Sequence, residues 1–183
     1  NYCYYIAMGI VFIVYTAVLI AIKGMPFGSN SVTFVDSMHQ YLPYISEFRD
    51  KLLHEGSLFY SWNIGMGINF TALSAYYLAS PFNFLFLLVG KYYIPAMYAA
   101  ITCMKLMLSA GFMVHLLSYK NGEKERNPVS IAIGVAYAFS NYMIGYSWNI
   151  MWMDCIMVLP LIVLGFIRLM EENKPGLYAV SMF

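Results

Sequence analysis

Residues Tyr2–Ile22 read YCYYIAMGIVFIVYTAVLIAI, an apolar run without one charged side chain. About 20 such residues are enough for a helix to cross the hydrocarbon of a bilayer. A secretory signal peptide has a shorter apolar core followed by a small-residue cleavage site, and neither feature is evident here. The rest of the chain agrees. Of 183 residues, 61% are hydrophobic and only 10% charged, with a mean hydropathy of +0.65. A soluble domain carries roughly 25% charged residues to face water. The aromatic content of 18%, rich in Tyr, suits a chain with much interfacial surface, where amphipathic rings are favoured. A formal net charge of +1 without a long basic run points away from nucleic acid as a partner. The composition is that of an integral membrane protein embedded in the lipid bilayer.

Working outward, three further segments are long enough to span: Ile94–Tyr119, Val129–Ser147 and about Met151–Met170. A fifth apolar stretch begins near Leu177. The expected fold class is all-α, a polytopic helical bundle with a long connection from Lys23 to Tyr93. The loop Lys120–Asn127, KNGEKERN, carries three basic residues between close spans, which the positive-inside rule assigns to the cytoplasm. Arg168 and Lys174, two spans later, are then also inside. By the same count the Lys23–Tyr93 connection and the tight turn Ser147–Ile150 lie outside, so Asp36 and Asp154 come out on one side. Thr71–Val89 is about as long as a span, and a crossing there would invert everything after it. Pro81 interrupts it and Asn83 follows, which favours two shorter pieces in the outer interface. Asn1 is not an initiator Met and Leu177–Phe183 is a fresh apolar start, so the chain is expected to be the N-terminal part of a longer protein, 1–183 forming part of one domain. Cys3, Cys103 and Cys155 lie in or beside apolar segments at no ligand spacing and read as buried thiols.

The outer connection has structure of its own. Met38, Tyr41, Leu42, Ile45, Phe48 and Leu52 follow helical spacing, with Gln40, Glu47, Asp50, Lys51 and His54 between them. Pro43 fits an early helical turn and Gly56 a stop. The pattern predicts an amphipathic helix along the membrane surface, with Asp36 just before it, after the extended segment Ser31–Val35.

Carboxylates are expensive near hydrocarbon, so acids at a membrane boundary are functional candidates. Asp36, His39, Gln40 and Tyr41 form one polar cluster, DSMHQY. A partly desolvated Asp36 could take a proton from an attacking hydroxyl, or it could simply cap the following helix. Asp154 closes SWNIMWMD, where Trp148 and Asn149 stand four residues before Trp152 and Met153. An interfacial aromatic belt explains both tryptophans; Asp154, about a turn inside the helix, needs a partner or water. Ser61-Trp62-Asn63-Ile64 echoes SWNI, and an aromatic face beside an amide suits sugar binding. Gly65 and Gly67 would let backbone approach a ligand, although such glycines are commonly turns. Lys105 lies about 11 residues, or roughly 16 Å of helix, inside Ile94–Tyr119. Thr102, Lys105 and Ser109 share a face that should look into the bundle, so Lys105 serves either a lipid-linked phosphate or a structural carboxylate partner. Asn69-Phe70-Thr71 matches the glycosylation triplet, which arises often by chance.

The strings Asp36-Ser37-Met38-His39-Gln40-Tyr41-Leu42-Pro43, Leu58-Phe59-Tyr60-Ser61-Trp62-Asn63, Ala79-Ser80-Pro81-Phe82-Asn83 and Met151-Trp152-Met153-Asp154 resemble the bacterial YfhO family in order and spacing. The resemblance covers nearly the whole chain. It implies a GT-C-type fold, with the acid of the first outer loop at Asp36. It further implies transfer of a sugar from a polyprenyl-phosphate donor to a cell-envelope glycopolymer acceptor, such as teichoic acid, on the outer face. Asp36 would be the general base, and Asp154, in the Trp-x-Asp element, would assist the acceptor, hold a cation or orient the surroundings of Asp36. His39, Gln40, Tyr41, Trp62, Asn63, Trp148, Asn149, Trp152 and Lys105 complete the candidate site. Lys105, Lys23 and Lys91 are the cations available for the leaving phosphate. No metal motif is readable, although Asp36 and Asp154 together could hold one divalent cation. A transporter or flippase of lipid-linked saccharides is the competing reading and predicts that Lys105 outweighs Asp36. A membrane scaffold predicts that neither acid matters beyond stability.

Overall fold

A computed structural model describes residues 2–54, 56–120 and 127–182. The chain forms two compact units: Asn1–Ile22, Thr102–Ser147 and Trp152–Phe183 make one, and Lys23–Ile101 with Trp148–Met151 the other. Among the described residues, four helical stretches are apolar and long enough to cross a membrane: Cys3–Ala21, Lys91–Tyr119, Pro128–Gly145 and Ile150–Glu172. They coincide with the four expected spans. Most of the basic loop Lys120–Asn127 lies outside the described residues, so its assignment to the cytoplasm rests on composition.

The first unit is a helical bundle of α1 (Cys3–Ala21), the later part of α4 (Ile94–Lys120), α5 (Pro128–Ala138), α6 (Asn141–Gly145), most of α7 (Ile150–Glu172) and α8 (Gly176–Met182). Its core is built from stripes at intervals of four: Cys3, Ala7 and Val11 on α1, Leu106, Ala110 and Val114 on α4, and Ser130, Gly134 and Ala138 on α5, all buried. Helices in lipid gain no hydrophobic drive from meeting each other, so small residues that allow close van der Waals contact decide where they pack. Gly134 shows how close: a Cβ there would stand 2.5 Å from Val114 Cγ2 and 2.9 Å from the Ala110 carbonyl.

Rising numbers on α1 meet falling numbers on α4. Tyr15 hydrogen-bonds Thr102, Met8 lies against Gly111, and Tyr4 and Tyr5 line a groove with Phe112 and His115. The two helices are therefore antiparallel, and the chain between them leaves and returns at one end of the bundle. A single extra crossing at Thr71–Val89 would have made them parallel.

Two features of this unit depart from the sequence reading. The third span is broken: α5 stops at Ala138, Ser140 is extended (ψ 153°), and α6 restarts at Asn141. Ser and Asn side chains compete for backbone groups and weaken a helix interior. Cys155 is exposed, while Cys3 and Cys103 are buried as expected; all three are free. α7 keeps its course through Pro160. Proline cannot donate to the carbonyl four residues back, and the Tyr137 hydroxyl donates to that carbonyl, Ile156 O, at 2.6 Å instead.

The second unit holds the long connection. A π-helical turn (Ser37–Tyr41) leads into α2 (Leu42–Leu53), then a hairpin of β1 (Tyr60–Ser61) and β2 (Ile68–Asn69), α3 (Phe70–Tyr77), 3-10 turns at Pro81–Leu88 and Lys91–Tyr93, and the start of α4. Its core gathers Tyr41, Ile45, Phe70, Leu73, Leu78, Phe86, Ile94, Tyr98, Ile101 and Ile150. Met38 and Leu52, read as part of the apolar stripe, are exposed. α2 ends three residues before Gly56. Thr71–Val89 forms two short helices bent by 105°, with Pro81 opening the second. Asn69 of the glycosylation triplet caps α3, accepting from the Ala72 amide at 3.0 Å.

Candidate functional site

One polar cluster of the second unit gathers around Tyr41. Its hydroxyl donates to Asn149 Oδ1, joining the DSMHQY and SWNIMWMD motifs across more than a hundred residues of sequence. Both side chains are buried. The Tyr41 ring meets Tyr77 edge-on at 5.3 Å, and Tyr77 also contacts Tyr44 at 5.0 Å and Tyr76 at 4.7 Å. The Tyr77 hydroxyl donates to Gln40 Oε1 at 2.7 Å. Burial pushes the Tyr41 hydroxyl well above the usual tyrosine range, and the charges of Tyr77, Tyr76 and Asp36 add to it.

Asp36 sits at the rim of this cluster, half-buried. It does not cap the helix that follows: its carboxylate makes no capping bond. Ser37 takes over the turn, accepting from the Phe34 amide at 2.7 Å and donating to the Phe34 carbonyl at 2.6 Å. Nor does the Asp36 carboxylate have a hydrogen bond or ion pair among the described residues. Val35, just before it, has φ +51°, a left-handed conformation rare for a β-branched residue. The π-helical turn comes just after it, a widened helical geometry that recurs at functional sites. Such backbone costs about 1–3 kcal/mol and persists only where surrounding structure fixes it. His39 in the same turn is exposed.

Asp154 is in the bundle unit and has a different environment. Lys105, fully buried, stands 2.7 Å from Asp154 Oδ1. Thr102 and Ser109 are buried with Lys105 on the inward face, as their spacing predicts. Of the two readings open for Lys105, the structure contains the carboxylate pair. Trp152 is partly exposed and meets Tyr146 at 5.8 Å. Trp148 belongs to the other unit, where its carbonyl accepts from the Tyr98 hydroxyl at 2.8 Å.

A second polar network, centred on Glu47, is invisible to motif reading. Glu47 accepts from Ser61 Oγ at 2.5 Å and from Asn63 Nδ2 at 3.2 and 3.0 Å, one bond to each carboxylate oxygen, and pairs with Lys51 at 3.4 Å. Burial raises the Glu47 pKa, but the bonds from Ser61, Asn63 and Lys51 outweigh it and hold the carboxyl below its ordinary value. Lys51 also donates to the Ser57 and Tyr60 carbonyls at 2.7 and 2.9 Å. The amide of Asn63 is thus occupied in fastening the hairpin to α2, while the Trp62 ring beside it is exposed. The only sequence signal for Glu47 was its spacing of four from Lys51 on the polar side of α2.

Of the three cations considered for a phosphate, Lys105 pairs with Asp154 and Lys91 with Asp50 at 2.5 Å. Lys23 is exposed and has no ion pair among the described residues. No three His, Cys, Asp or Glu side chains gather into a metal site among the described residues.

The family model described as bacterial membrane protein YfhO matches residues 7–183. No curated protein and no solved structure matches the chain.

Proposed function

That the chain belongs to the YfhO family of bacterial membrane proteins is the premise from which we propose a membrane glycosyltransferase of GT-C type. It moves a sugar from a polyprenyl-phosphate donor to an extracytoplasmic cell-envelope acceptor, teichoic acid being the acceptor that the family resemblance favours. The observation carrying this reading is the contrast between the two acids. Asp154 is neutralised by Lys105, whereas Asp36 keeps its carboxylate without a hydrogen bond or ion pair among the described residues, beside a tyrosine cluster.

In this mechanism Asp36 accepts the proton of an acceptor hydroxyl. The oxygen bonds to the anomeric carbon as the bond from that carbon to the phosphate oxygen breaks, and polyprenyl phosphate departs with the electron pair. Gln40, Tyr41 and Tyr77 hold the turn that carries Asp36, and Asn149 anchors Tyr41. Lys23, in the same unit, supplies positive charge for the leaving phosphate, and Asp154 is a structural counter-ion.

The test is the sugar content of the envelope glycopolymer in the native cell with Asp36→Asn, at matched membrane expression. Loss of the sugar, with donor accumulating on the outer face, is the expected result. Retained sugar removes Asp36 as the base. Donor accumulating on the cytoplasmic face favours the transporter reading instead.

A further inference from the structure

The hairpin of the second unit presents an apolar tip. Phe59, Trp62 and Met66 are 79%, 77% and 94% exposed, and Leu58 stands beside them. The turn holding them is built, not slack. Gly65, Met66 and Gly67 are consecutive left-handed residues with φ +52°, +63° and +116°. The Gly67 amide donates to the Ile64 carbonyl at 2.9 Å. Any side chain at Gly67 would collide with the Tyr60 hydroxyl, while the Tyr60 ring packs edge-on against Trp62 at 4.8 Å. The strands are fastened at their base by Glu47 and Lys51. A methionine held in a strained conformation and left almost wholly exposed needs an apolar environment beyond the chain itself.

Charge distribution says which environment. Residues 57–90 contain no Asp, Glu, Lys, Arg or His, so the hairpin, α3 and the first 3-10 turn are wholly uncharged. The charged side chains that flank this stretch in sequence are Glu55 before it and Lys91 after it. A carbohydrate needs polar groups around an aromatic face, but the neighbouring amide of Asn63 is spent on Glu47, and Phe59 and Met66 offer a hydroxyl nothing. A rim of aromatic and thioether groups without charge matches the region where lipid headgroups meet acyl chains, the zone favoured by Trp.

We propose that the Phe59–Trp62–Met66 tip inserts into the bilayer interface and anchors the Lys23–Tyr93 connection to lipid.

The test uses the full chain in nanodiscs whose lipids carry bromine near the headgroup. Trp62 is left as the sole tryptophan by Trp148→Phe and Trp152→Phe. The expected result is loss of most Trp62 emission to the brominated lipid, with little quenching by soluble acrylamide. Emission that ignores the brominated lipid and falls with acrylamide overturns the proposal. So does protection from acrylamide that appears only when a soluble oligosaccharide is added. If the double substitution fails to fold, the difference in quenching between the parent chain and Trp62→Phe reads the same residue and decides in the same way.

Discussion

Asp154 and Asp36 are chemically the same side chain in opposite circumstances. In the bundle, Asp154 is closed onto a fully buried lysine at 2.7 Å. In the second unit, Asp36 follows a strained residue and lies near Tyr41 and Tyr77, with no counter-ion among the described residues. A charge pair in a low-dielectric bundle keeps a structure intact and is poorly placed to exchange a proton. An acid without a partner contributes little to folding and stays available to a substrate. The location of an acid near a membrane therefore says less about its role than what it is paired with.

This comparison can be broken by measurement. Lys105→Met leaves Asp154 partly buried without its partner, and removing one member of a buried pair costs about 3–5 kcal/mol. A collapse in membrane yield and thermal stability is expected, with recovery in the Lys105→Met/Asp154→Leu double variant. Equal stability of Lys105→Met and the parent would remove the structural role of the pair. Tyr41→Phe strips the donor from buried Asn149 and should cost about 1–3 kcal/mol, read as the midpoint of thermal unfolding in detergent. Glu47→Gln should loosen the hairpin rather than the bundle, so faster amide exchange across residues 57–69 is its readout. Because the folded Glu47 carboxyl lies below its ordinary value, its contribution is present above the unfolded pKa and disappears as pH falls through the folded one. Exchange in the hairpin should accordingly accelerate on acidification and lose that pH dependence in the variant. The smallest effect is expected from Asp36→Asn. It should change stability by no more than about 0.5 kcal/mol while abolishing sugar transfer, and a large loss of stability would make Asp36 another structural acid.

The spans were legible because long apolar runs with few charges have few alternatives, and the inward face of Thr102, Lys105 and Ser109 was legible because polar side chains at helical spacing cannot face lipid. Other features escaped for particular physical reasons. The break at Ser140 vanishes when hydropathy is averaged over a window. The partner of Lys105 depends on the axial register of α4 against α7, which neither helix encodes by itself. Tyr41 and Asn149 meet through tertiary packing between two motifs that had been recognised separately. Glu47 resembled a solvated residue of an amphipathic helix, and only the hairpin folding back onto α2 gives it its hydrogen-bond donors. The stripe Ser130, Gly134, Ala138 was present in the sequence at intervals of four, yet an apolar run of small residues looks the same whether it faces lipid or another helix.

The Lys105–Asp154 pair also constrains how the protein is made. Lys105 leaves the ribosome well before Asp154, so α4 reaches the translocon with a cation and no counter-ion. A lone lysine near a helix centre disfavours entry into lipid by a few kcal/mol. Pairing with Asp154 on α7 offsets that cost, so α4 gains by entering the bilayer together with α7 rather than ahead of it.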